Sequence, residues 1–208
     1  MDGKGSAGDP LSGLRRVADA KSLRALTHPV RIALIEVLTV DGPLTATEAA
    51  EVVGESPTTC SFHLRQLARY GFVEEAERGP GRRRSWRMRS IGTVIASEGG
   101  DPEANVAAAA VSGLVRQRLL EHLDRWEMSR ASYPKRWRDL AQINQHLLFV
   151  TPEELAELER RLHQMLMELY PRIADEGARP QGALPVEMIS FIFPLRLPPA
   201  DPAAAPPD

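Results

Sequence analysis

Between residues 45 and 71 the chain carries two helix starts separated by one short turn, and this spacing constrains the fold more than any other feature. Thr45 stands three residues before Glu48, the spacing of a capping box. Ala46, Ala49, Ala50 and Val53 supply a small apolar face, and Gly54 ends the segment. Ser56 then serves as a cap for a second helix, with Pro57 at the first helical position, where a missing N–H costs nothing. That helix continues as TTCSFHLRQL and ends near Gly71. A helix, a sharp turn and a second helix rich in hydroxyls and arginine fit a DNA major groove.

A hairpin follows. Phe72 and Val73 open a strand, Arg78-Gly79-Pro80-Gly81 makes the turn, and residues 83–88 return. Alternation puts Trp86 and Met88 on one face and Arg83, Ser85 and Arg87 on the other. Arg82, Arg83, Arg84 and Arg87 suit the phosphate wall or a narrow minor groove. The competing reading is a solvated charge cluster that protects a strand edge. Gly79-Pro80-Gly81 is a turn and not a phosphate cradle, because no helix follows it.

On the second helix the candidate DNA-facing residues are Ser56, Thr58, Thr59, Ser61, Phe62, Arg65, Gln66 and Arg69, while Leu64 and Leu67 belong to the core. The bland alternative is a solvated polar face. An arginine can bond guanine twice, which discriminates by roughly 1–3 kcal/mol. His63 reads two ways, as a phosphate contact or as a ring packed under the helix. Cys60, the single cysteine, reads as a small buried apolar group. A redox role would require an exposed thiolate of low pKa.

Upstream, residues 11–26 space Leu14, Val17, Leu23 and Leu26 as one helix, and Thr27 caps a second that begins near Pro29 and breaks at Asp41-Gly42-Pro43. Downstream, a linker at 97–102 precedes a long helix over 103–130, with Val111, Val115, Leu119 or Leu120, Leu123 and Trp126 at helical spacing. Residues 147–150 (LLFV) and 186–193 (VEMISFIF) read as buried strands, and residues 133–146 stay ambiguous. Thr151, Pro152 and Glu154 open a further helix striped by Leu155, Leu158, Leu162, Met165 and Leu169. Residues 1–10 and 198–208 read as disordered tails.

The net charge of −2 argues against indiscriminate nucleic-acid binding, but its distribution is uneven. Residues 1–92 carry +3 and residues 93–208 carry −5, the sign expected of a DNA-binding first half. No apolar run approaches the roughly 20 residues of a membrane span. The opening MDGKGSAGDP lacks the apolar core of a secretory signal, and a lone cysteine suits a reducing cytoplasm. His122, His146 and His163 do not pair at i, i+4, so no metal is expected, and no nucleophile–base pair or cofactor motif marks an enzyme. Trp126, Tyr133 and Trp137, with 147–150 and 186–193, either form the core of the second half or line a ligand pocket.

Residues 23–88 resemble the ArsR-type winged helix-turn-helix regulators. The resemblance rests on LRALTHPVRIALIEVL, with its His-Pro-x-Arg, and on TATEAAEVVGESPTTCSFHLRQLARYGFVEE, in which Ser61, His63, Leu64 and Leu67 match Ser-x-His-Leu-x-x-Leu. The second half resembles longer ArsR-like proteins. The resemblance implies a homodimer that binds a two-fold operator on double-stranded DNA, usually as a repressor released by a signal. It also places His63 near the DNA backbone. The Cys-x-Cys metal motif of some relatives is missing, since Cys60 stands alone.

The expected fold is therefore mainly α with a small β-wing. A winged helix-turn-helix domain would cover residues 11–96, and an α+β region over 103–197 would dimerise and sense. The first and long helices would supply the dimer interface. The alternatives are an activator answering a small-molecule effector, redox state or temperature, and a protein-interaction module on the same scaffold.

Overall fold

The computed structural model describes residues 14–76, 84–90, 92–95 and 101–196. The expected tails at 1–10 and 198–208, the hairpin turn at 78–81, Arg82, Arg83 and most of the 97–102 linker lie outside the described residues.

Strand β1 (Leu14–Val17) opens the described chain and is followed by α1 (Ala20–Leu26) and α2 (Pro29–Val40). The single helix expected over 11–26 is thus a strand and a shorter helix. The reason lies far away in the sequence, because β1 pairs in parallel with β5 (Gly92–Ile95), Leu14 opposite Gly92 and Val17 opposite Ile95. A Cβ on Gly92 would stand 2.8 Å from Leu14 Cδ2, so the bare backbone lets the two strands approach. Asp19 caps α1 by accepting from the Ser22 N–H at 2.8 Å. Thr27 closes α1 instead of opening α2, its hydroxyl donating to the Arg24 carbonyl. The cap of α2 is His28, whose Nδ1 accepts from the Val30 N–H at 3.2 Å.

The helix-turn-helix follows as expected. After β2 (Leu44–Thr45), α3 (Ala46–Val53) starts with both halves of the Thr45–Glu48 capping box and ends at Gly54 in the left-handed conformation, φ +79°. Helix α4 (Pro57–Arg69) starts with Ser56 accepting from the Thr59 N–H at 3.0 Å. Gly71, φ +72°, turns the chain into β3 (Val73–Glu75). The sheet is completed by β4 (Ser85–Met88), which lies between β2 and β3 and is antiparallel to both.

One core holds this half together. Leu23, Leu34, Leu64, Leu67 and Phe72 are fully buried and Trp86 nearly so. Helix α5 (Pro102–Ser129) packs on α1 through Ala104, Ala107, Ala108 and Val111, small side chains that let the two backbones come close. An Arg24–Glu103 ion pair at 2.5 Å marks the edge of that packing. The first and long helices, expected to face a second subunit, thus cover each other within one chain along these residues.

Beyond Val111 no described residue is buried. A 3-10 turn (Arg130–Ser132), α6 (Lys135–Arg138), α7 (Pro152–Met167), α8 (Pro171–Ala174) and a second 3-10 turn (Glu176–Ala178) complete the described elements. Helix α7 opens with the expected Thr151–Glu154 capping box. The strands expected at 147–150 and 186–193 do not form, and those residues are irregular chain without ladder partners. Their apolar side chains are exposed, Phe149 at 97% and Phe193 at 66%, because a strand needs a neighbouring strand and a covering layer. The described part of the second half is therefore helical and irregular, not α+β.

Candidate nucleic-acid interface

Helix α4 is amphipathic in a specific way. Cys60, His63, Leu64 and Leu67 point into the core, while Thr58, Phe62, Arg65 and Arg69 are exposed. Positions 58, 62, 65 and 69 recur at four-, three- and four-residue steps, so they form one outward stripe. Phe62 is 51% exposed, an aromatic ring with no role in the core and available for apolar contact such as a thymine methyl.

The remaining candidates separate by what their polar atoms already do. Ser56 and Thr59 belong to the cap, and their hydroxyl oxygens also lie 2.8 Å apart. Arg65 Nη1 donates to the Ser61 hydroxyl at 2.9 Å, an exposed bond that holds the guanidinium along the helix. Gln66 is half-buried.

His63 is 7% exposed and packs beneath α4, its ring 4.3 Å from that of His28 and edge-on to Phe62 at 5.2 Å. Of the two readings of this residue the geometry matches the packed ring. Its Nδ1 is buried without a hydrogen-bond partner. Burial, then the nearby His28 and Arg31, push its pKa below the ordinary histidine value, while Glu55 opposes them weakly.

The Cys60 thiol is fully buried, and burial followed by Glu55 raises its pKa. This is the opposite of what a reactive thiolate requires.

On the sheet, Arg87 is exposed on β4 and its Nε donates to Glu74 Oε1 at 2.9 Å. Arg84 Nε lies 3.2 Å from Glu75 Oε2. Exposed pairs of this kind hold weakly, so both guanidinium groups can exchange a carboxylate for a phosphate at little cost. Arg15 of β1 packs against the core beside this surface. Its guanidinium stacks 4.2 Å from the Phe72 ring centroid, where α4 passes into the sheet. No local signal marks it, because its stretch reads as helix.

The second half supplies a different cluster. Arg118 Nη2 bonds Glu36 Oε2 at 2.6 Å, and that bond is the main reason its pKa rises. His122 Nε2 lies 3.5 Å from the same oxygen, and its Nδ1 lies 3.0 Å from Glu187 Oε2. The cluster ties α2, α5 and residues 184–195 together. Among the described residues no group of three or more His, Cys, Asp and Glu side chains is arranged to hold a metal. Trp126 stacks with Arg130 at 5.0 Å. Trp137 lines a shallow, open depression of about 250 Å³ with Arg136, Leu140, Gln181 and Gly182. Trp126, Tyr133 and Trp137 are all half-buried, whereas residues 147–150 and 186–193 are exposed.

Residues 26–76, from the end of α1 through β3, match the family model of a helix-turn-helix domain. No curated protein matches the chain. The family-model match defines a helix-turn-helix domain, of the DNA-binding kind, whose two helices are α3 and α4. Among the described residues no helix is long and apolar enough to cross a membrane.

Proposed function

We propose that this chain is a winged helix-turn-helix transcription regulator of the ArsR type that binds its operator as a homodimer and acts as a cytoplasmic repressor rather than an enzyme. The observation that carries the reading is the single outward stripe of Thr58, Phe62, Arg65 and Arg69 on α4. Arg65 and Phe62 read base edges, and Thr58 and Arg69 hold phosphates. Arg84 and Arg87, with Arg82 and Arg83 beside them in sequence, neutralise the backbone next to the groove. Two copies place their α4 helices in successive major grooves about 34–36 Å apart. Residues 103–197 carry the dimer contact and the response to a signal. The charged cluster of Glu36, Arg118, His122 and Glu187 supports that division, since it joins α2 of the DNA-binding half to the far end of the chain. A signal acts only if it binds one separation of the α4 helices better than another.

Selection of binding sites from a random duplex pool, followed by hydroxyl-radical footprinting, tests this reading. The expected result is a two-fold sequence with protections one helical turn apart on one face of the duplex. Enrichment of no sequence, or a single unsymmetrical patch, overturns it.

A further inference from the structure

Two carboxylates reach the same imidazole from different parts of the chain. His122 on α5 is partly buried, with Nδ1 3.0 Å from Glu187 Oε2 of the irregular segment 184–195 and Nε2 3.5 Å from Glu36 Oε2 of α2. The other charged groups of the cluster are Arg118 and Glu121, both on α5. Arg118 donates to Glu36 Oε2 through Nη2 at 2.6 Å and through Nε at 3.2 Å, and its Nη1 lies 3.3 Å from Glu121 Oε2.

A neutral imidazole carries one N–H and one lone pair. If it donates from Nδ1 to Glu187, the lone pair on Nε2 faces the Glu36 carboxylate. If it donates from Nε2 toward Glu36, the lone pair on Nδ1 faces Glu187. Each tautomer therefore turns one lone pair toward an anion, and only the imidazolium presents an N–H to both. The charge balance acts in the same direction. Three carboxylates (Glu36, Glu121 and Glu187) against the one guanidinium of Arg118 leave −2 around a neutral ring and −1 around a protonated one.

The two carboxylates do not depend equally on that charge. Glu36 keeps its bonds from Arg118 whatever the state of the ring. Glu187 has no second partner among the described residues, and its bond to His122 is the side-chain contact that ties 184–195 to the helices. The backbone of the segment adds no ladder with any described strand. Loss of the proton therefore falls on Glu187. Its charge-assisted bond becomes an ordinary one, roughly half as strong, and the ring is free to turn its single N–H to Glu36 instead. Histidine is the side chain whose charge changes between about pH 5 and 8.

We propose that His122 is a proton-dependent latch: its imidazolium, held between Glu36 and Glu187, fastens residues 184–195 to α2 and α5, and its deprotonation lets that segment go. The proton is then a signal to which the contact between the first half and the last described segment answers. The latch goes beyond the proposed function and holds whether or not the chain binds DNA.

A nitroxide attached through Ser190→Cys in the full chain tests it, because Ser190 is exposed and the native Cys60 is buried away from the reagent. The label broadens the NMR signals of amides near it. The expected result is broadening of the α5 amides around His122 at pH 6 and its loss at pH 8. In His122→Gln and in Glu187→Gln, which remove one charge each, the same amides should stay sharp at both pH values. Should one of these variants misfold, the other and the parent chain still decide. Equal broadening at the two pH values in the chain that keeps His122 and Glu187 overturns the proposal. So does a segment that stays against α5 in either folded variant.

Discussion

At the scale of single residues, the ring pair His28–His63 is the most consequential detail of the DNA-binding half. His28 caps α2 through Nδ1 and His63 belongs to α4, so their contact fixes one helix against the other. Burial holds His63 neutral, with its pKa lowered in the folded chain. A group whose folded pKa is depressed below its unfolded value takes up more protons when unfolded, so stability rises with pH across that window. The contribution is present above about pH 6.5, the ordinary histidine value, and is lost as pH falls below it toward the lowered value. Thermal melts should therefore show a lower Tm at pH 5.5 than at pH 7.5, with the difference reduced in His63→Phe. An unchanged pH dependence in that variant would remove His63 as the cause. Histidine is an unusual cap, which is why the sequence points to Thr27 instead. The ring contact across 35 residues has no local signature.

At the scale of elements, the caps are legible in the sequence and the strands are not, for the same physical reason. A capping box, a proline at the first helical position and a glycine stop are local, and the starts of α3, α4 and α7 lie where Thr45, Ser56 and Thr151 put them. The turn between α3 and α4 depends on Gly54 at φ +79°, with open space where a Cβ would stand. Gly54→Ala should therefore cost about 1 kcal/mol from backbone conformation alone, read by chemical denaturation. A neutral substitution would mean the turn relaxes. Strand β1 is illegible because its partner β5 is distant in sequence, and Leu14 and Val17 also fit a helical spacing. Residues 147–150 and 186–193 mislead in the opposite direction. Their apolarity suggests burial, which the described residues do not provide. The sheet arginines give a further prediction. Arg84→Ala with Arg87→Ala should weaken binding to all duplexes alike and lower the salt slope by about one for each phosphate no longer neutralised. An unaltered slope would leave these residues as edge protection.

At the scale of the molecule, two halves of opposite character are joined by α5. The first carries the buried core and the positive charge, and the second carries exposed apolar surface and the negative charge. This asymmetry puts the positive charge on the end that carries α4, the sign that suits a DNA contact.

The claim on which all of this depends is that the outward stripe of α4 reads bases. Fluorescence-anisotropy titrations of wild type and Arg65→Ala on a selected and a random duplex, at one salt concentration, test it most directly. The account predicts that Arg65→Ala loses roughly 1–3 kcal/mol on the selected duplex for each base contact and far less on the random one, so that specificity narrows. Equal affinity of the two proteins for the selected duplex would contradict it.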